Sequence, residues 1–95
     1  MIYKMLDIST AHYSQETDDF LWNVVDKMQD VSLAVIPTGT GFIIPVTFPV
    51  LDKDDLAVIP SELVFVMGYA AANGCSYIRF DRDGDIIDDL PTWDW

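Results

Sequence analysis

Sixteen acidic and five basic side chains in 95 residues leave a formal charge of −11 on a chain that is otherwise 51% hydrophobic. Such a charge spreads a long-range negative field and costs self-repulsion in the compact state, which argues against direct nucleic-acid binding and favours meeting a basic surface. The apolar fraction, with 13% aromatics, separates the chain from disordered acidic tails, so a single acidic domain over 1–95 with a modest core is expected.

Cys75 is the sole cysteine. That excludes an internal disulfide and fits a reduced cytoplasm. A lone thiol with one distant histidine gives weak support for a catalytic dyad. The opening segment Met1–Asp7 lacks the apolar core of a signal peptide. The longest apolar run, Leu63–Ala72, is about half of what a membrane span needs, so no membrane role is expected.

Residues 2–9 begin with Ile2, Tyr3, Met5, Leu6 and Ile8 and read as a first strand. Ser14 is placed to cap a helix, with Glu16, Asp18 and Asp19 in its first turns, where the helix dipole favours anions. Phe20, Leu21, Val24, Val25 and Met28 recur at helical spacing and predict a helix over 15–29. Leu33–Ile36, the turn Pro37–Gly41 and Phe42–Ile44 read as strand, turn and strand. Pro45 and Pro49 make the second of these an edge or bent strand.

Asp52–Asp55 reads as a solvated loop and Pro60-Ser61-Glu62 as a helix entry. Residues 62–73 then form a helix stopped by Asn73-Gly74, although Leu63–Val66 taken alone suits a strand equally. Tyr77–Asp81 and Asp85–Ile87 flank Asp83-Gly84, a type I′ hairpin signal, and Leu90–Trp95 is an irregular tail. The order β-α-β-β-α-β, with an added C-terminal hairpin strand, predicts an α+β two-layer sandwich, for which a ferredoxin-like arrangement is one solution.

Several motifs imitate known chemistry and fall short of it. Phe80-Asp-Arg-Asp-Gly84 mimics the first motif of haloacid-dehalogenase phosphatases, but the 11 residues after Gly84 leave no room for that fold's later motifs. The same stretch fails the calcium-loop spacing, since Gly84 stands at position 4 from Asp81 where an EF-hand needs its glycine at position 6. Thr38-Gly-Thr-Gly41 lacks the lysine and following helix of a phosphate loop, and reads as a hairpin turn. His12 has no visible partner and reads as a loop histidine bonded locally. No catalytic, cofactor or metal site is expected.

Two features support an interaction surface. On a helical wheel Trp22 falls outside the apolar stripe, framed by Asp18, Asp26 and Gln29, and an exposed tryptophan among acids suits a binding hot spot. The stretch 81–95 holds six Asp together with Trp93 and Trp95, of which at least one indole is expected to dock on the domain. The second helix is apolar on nearly every face. That implies burial on two sides, or homodimerisation through Val64, Phe65, Gly68 and Tyr69.

The ends of the chain, Leu6-Asp-Ile-Ser-Thr-Ala-His12 and Phe80-Asp-Arg-Asp-Gly84…Leu90-Pro…Asp94-Trp95, resemble a family of small acidic proteins of unknown function carried by bacterial plasmids, phages and genomic islands. The resemblance implies a mobile-element context, in which small acidic proteins often blunt host defence. It carries over no catalytic residues.

The combined reading is a non-enzymatic inhibitor whose acidic face occupies a basic groove of a nucleic-acid-binding defence protein or nucleoprotein, in the manner of an anti-CRISPR or anti-restriction DNA mimic. Asp18, Asp19, Asp26 and Asp30 with Trp22 form one expected face, and Asp81, Asp83, Asp85, Asp88 and Asp89 another. The alternative is an adaptor or regulatory module that binds through the apolar helix and Trp22, with contacts that salt does not screen.

Overall fold

The computed structural model describes residues 1–46 and 51–95; the expected role of Pro49 falls outside them. Its elements run β1 (Met5–Ser9), a 3-10 turn (Thr10–His12), α1 (Gln15–Val25), β2 (Ile36–Pro37), β3 (Gly41–Pro45), α2 (Lys53–Val58), α3 (Ser61–Ala72) and β4 (Tyr77–Asp81). The strands form one mixed sheet in the order β1-β4-β3-β2. β1 and β4 are parallel, while β3 is antiparallel to both β4 and β2.

Alternation along the strands sets the two faces of the sheet. Ile8, Phe80 and Phe42 share one register row, Ile78 and Ile44 lie in the next, and all five are buried. With Leu21 of α1 and Leu63, Val66, Met67 and Ala70 of α3 they form the core. The opposite face carries Asp7 and Arg79, paired through Nη2 and Oδ2 at 2.7 Å, with both side chains near half exposed. The pair is therefore worth little.

The α+β class and the order of the main elements are as the sequence predicts. The ferredoxin-like refinement is corrected. In that arrangement a strand separates the two parallel ones, the split βαβ, whereas β1 and β4 here are direct neighbours. β1 starts at Met5 rather than at residue 2, because its partner β4 starts at Tyr77, opposite Met5. β3 is not an edge strand, since β2 and β4 flank it; β2 ends opposite Ile43, which leaves Pro45 with no ladder bond to supply on that side.

α1 is capped as expected, Ser14 Oγ accepting the Thr17 N–H, but it ends at Val25 instead of residue 29. Lys27 adopts left-handed geometry (φ 61°) and turns the chain off the axis, so Met28 leaves the apolar stripe and is 79% exposed. The expected loop at 52–55 is the start of α2, nucleated by a reciprocal capping box between Asp52 and Asp55. α3 ends as predicted, at Asn73 and a left-handed Gly74 (φ 74°).

The expected C-terminal hairpin is also corrected. A type I′ turn needs positive φ at both central residues, and Gly74 alone among the described glycines has it. Gly84 N–H instead closes a turn onto the Asp81 carbonyl at 2.8 Å, and the chain crosses the end of β1. There Ser9 N–H bonds the Asp85 carbonyl at 2.9 Å and Ile8 pairs with Asp85 in a single parallel bridge. A Cβ on Gly84 would lie 2.5 Å from the Ile8 carbonyl carbon and oxygen. The glycine serves close approach rather than turn handedness.

Candidate functional site

Parallel pairing brings the C-terminal ends of β1 and β4 to one end of the sheet, beside the turn into β3. Ligands of open sheets gather at such an end, where loops diverge. A cleft of about 570 Å³ opens here, within the range of ligand pockets. Tyr13, Trp22, Phe42, Trp93 and Trp95 supply its rings, and Asp18, Asp94 and Arg82 its charges. The Thr38–Gly41 turn forms another part of the wall.

The rings are held by packing. Trp22 meets Phe42 edge-on at 5.0 Å between centroids, and Tyr13 meets Phe80 edge-on at 4.9 Å. Trp95 lies 5.8 Å from Tyr13 at a shallow tilt and donates its indole N–H to the Tyr13 carbonyl at 2.8 Å. Trp93 N–H bonds the Ala11 carbonyl, also at 2.8 Å. Both ends of this tail segment are thus anchored on the residues that follow β1.

His12 makes the tail part of the fold. Its ring is fully buried, Nε2 accepts the Ile87 N–H and Nδ1 faces the Pro91 carbonyl, each at 2.9 Å. Only one tautomer satisfies both partners: Nδ1 carries the proton and donates, and Nε2 is bare. The local bonding expected of His12 is in fact a tether across 75 residues of sequence. On the far side of the turn, Glu62 of α3 accepts from Ser14 N–H, Ser14 Oγ and Thr17 Oγ1, which fixes the start of α1.

Of the two acids lining the cleft, Asp18 is the half-buried one. Tyr13 donates its hydroxyl proton to Asp18 Oδ1 at 3.0 Å, and no bond to Oδ2 is found among the described residues. Burial pushes the Asp18 carboxyl above the ordinary carboxylate range, the Tyr13 bond opposes this in part, and Asp19 adds to it. Burial and the nearby Asp18 charge raise the Tyr13 hydroxyl far above its usual value. Burial thus disfavours the charged form of Asp18 in the free domain.

The other expected site residues divide. Asp18, Trp22 and Asp26 fall on one stripe of α1 at successive i, i+4 steps, with Asp26 its C-cap; Asp19 is exposed away from that stripe and Asp30 lies beyond the helix end. Asp83 and Asp85 are exposed and share a smaller depression with Asp7, Arg79 and Asp81. Asp88 and Asp89 are exposed in the following turn. Asp81 is committed to the fold: Thr40 Oγ1 donates to its Oδ2 at 3.0 Å and Asp83 N–H to its Oδ1 at 2.8 Å.

Sequence reasoning did not assign Tyr13, Phe42, Arg82 or the tail tryptophans to one site. The usable signal was the glycine-flanked turn before one apolar strand together with two tryptophans near the chain end. No group of three or more metal-ligating side chains is found among the described residues. Nor does any described helix have the length and apolarity to cross a membrane.

The acids give a test by pH. Backbone N–H bonds, first from Ser32 at Asp55 and first from Asp83 at Asp81, hold both carboxyls below their ordinary range. A carboxyl depressed in the fold stabilises it above the unfolded value, about 3.9 for Asp, and loses that contribution as pH falls through the folded value. Asp55→Asn, which keeps one acceptor oxygen where Ser32 and Asp52 now use two, is expected to be less stable than wild type at pH 6. By pH 3 the gap narrows. Urea unfolding at both pH values reads this, and a gap of constant size would refute it.

Fold and cleft together define a small acidic α+β domain with a ring-lined groove at one end of its sheet. The chain belongs to the family of unknown function DUF5983, whose C-terminal domain matches residues 5–95. No curated protein and no solved structure is found to match it.

Proposed function

We propose that this domain is a non-enzymatic acidic binding protein, carried by a mobile element, that occupies the basic nucleic-acid-binding groove of a bacterial host defence protein in the cytoplasm. Inhibition of the anti-CRISPR or anti-restriction type is the expected consequence. The observation that carries the reading is uncompensated surface charge. Among the described residues only Arg79 pairs with acids, Asp7 and Asp81, while Asp19, Asp26, Asp30, Asp83, Asp85, Asp88 and Asp89 stand exposed. Duplex DNA presents one charge per roughly 1.7 Å of axis, and clustered short carboxylates compete for the same lysines and arginines.

Two acidic clusters of the sequence are candidates. The C-terminal one is the denser, with Asp83, Asp85, Asp88 and Asp89 inside seven consecutive residues. Reversing these four to Lys changes the net charge from −11 to −3, four units lost and four gained. The four-Lys variant is expected to lose capture of a basic nucleic-acid-processing enzyme from host extract, with wild-type capture released by a high-salt wash. Equal capture by both proteins, unaffected by salt, would overturn the reading.

An adaptor role is the second reading, favoured by the exposure of Phe65 (55%) and Val58 (43%) on α3 and α2. It predicts a partner retained at high salt, lost on Phe65→Asp.

A further inference from the structure

We propose that the cleft between α1, the β2–β3 turn and the tail is a socket for one arginine side chain of the basic partner, its guanidinium stacked on the exposed indoles of Trp22 and Trp95 and paired with Asp18. The inference rests on the binding role proposed above and names the group recognised.

Chemistry selects the occupant. The cleft joins the exposed indoles of Trp22 and Trp95 to a carboxylate with a free oxygen, and a cation near such faces is attracted by the ring quadrupole, most strongly by tryptophan. Arginine suits it better than lysine, because its planar, weakly hydrated fork can stack and bind a carboxylate together. Neutral polar ligands find few free partners. Ser9 Oγ already accepts from Ala11 N–H, Thr38 Oγ1 from Thr40 N–H, and Thr40 Oγ1 donates to Asp81.

An anionic ligand would meet Asp18 and Asp94 against one cation, Arg82, inside a molecule of charge −11. Arg82 is exposed, and no carboxylate pairs with it among the described residues. It competes with an incoming guanidinium without filling the site.

Asp18 also shows the mark of a group retained for binding. Its burial disfavours the charged form in the free domain, and a cation seated beside it relieves that cost. Function and stability then diverge at this position, as they do not for an acid that only supports the fold.

The probe is the blocked tripeptide acetyl-glycyl-arginyl-glycinamide, compared with the same peptide carrying neutral citrulline, titrated by tryptophan fluorescence. Wild type is expected to bind the arginine peptide about tenfold more tightly than the citrulline peptide, the scale of one partly desolvated cation–π and charge contact. Asp18→Asn should erase most of that preference while its thermal midpoint equals or exceeds that of wild type. Trp22→Leu should weaken binding about tenfold, and Arg82→Gln should tighten it.

Equal affinity for both peptides, or an unchanged preference in Asp18→Asn and Trp22→Leu, overturns the socket. If that happens while a basic enzyme is still captured in salt-sensitive fashion, the acidic-face reading stands without it. Peptide preference with no basic partner captured from host extract keeps the socket and overturns the inhibitor reading.

Discussion

Gly41→Ala is expected to remove about 3–5 kcal/mol of stability, a large part of the 5–15 kcal/mol of an ordinary domain. Gly41 stands opposite Asp81 at the first position of β3. A Cβ there would lie 1.8 Å from the Phe80 carbonyl oxygen and 2.7 Å from its carbon. Both are backbone atoms of the neighbouring strand, so no rotamer relieves the overlap. β3 must part from β4, and the break passes through the buried Phe42–Phe80 pair and the Thr40–Asp81 bond.

Gly39→Ala is the control, two residues away in the same turn, where a Cβ meets nothing within 4 Å. Its stability should stay within about 1 kcal/mol of wild type. Urea midpoints of the two variants decide the matter. A Gly41→Ala protein as stable as Gly39→Ala would show that the strands do not approach as described.

His12→Ala is expected to cost about 2–5 kcal/mol, chiefly through a cavity in the core, with two part-buried backbone groups left unpaired. The Ile87 N–H and the Pro91 carbonyl lose their partners together. Because the ring ties the tail to the turn after β1, the loss is not spread evenly. Residues 87–95 should release first, taking Trp93 and Trp95 out of the cleft.

Hydrogen exchange at Ile87 and Trp93 should accelerate well beyond exchange in β4, and the arginine peptide should bind more weakly. His12→Gln, with an oxygen able to accept from Ile87, should recover part of the protection. Uniform acceleration across the sheet, with the tail no worse than β4, would remove the tether from the account.

The site was only partly legible in the residues. Asp18 and Trp22 were found because four-residue spacing on a helix is a local property, fixed by 3.6 residues per turn. Tyr13, Phe42, Arg82 and Trp95 come from four separate segments, and only the parallel pairing of β1 with β4 sets them around one opening. Asp81 was grouped with its acidic neighbours because sequence gives charge and not hydrogen bonds. Its two oxygens are in fact occupied by Thr40 and Asp83.

The glycines make the same point. Asp83-Gly84 carries a hairpin signal, yet Gly84 is needed because the backbone passes against Ile8, 76 residues earlier. A dipeptide signal reports the conformations a residue permits and not the contact that requires it.

By itself the sequence determined the acidic character, the α+β class, the cap at Ser14 and the stop at Gly74, since each follows from side-chain chemistry within a few residues. Tertiary structure alone decided that β1 and β4 lie side by side, that the last tryptophans return to Tyr13 and Ala11, and that His12 holds them there. Those contacts join segments some 70 to 80 residues apart. Their stability comes from packing and hydrogen bonds that need both partners in place at once, which no local pattern encodes.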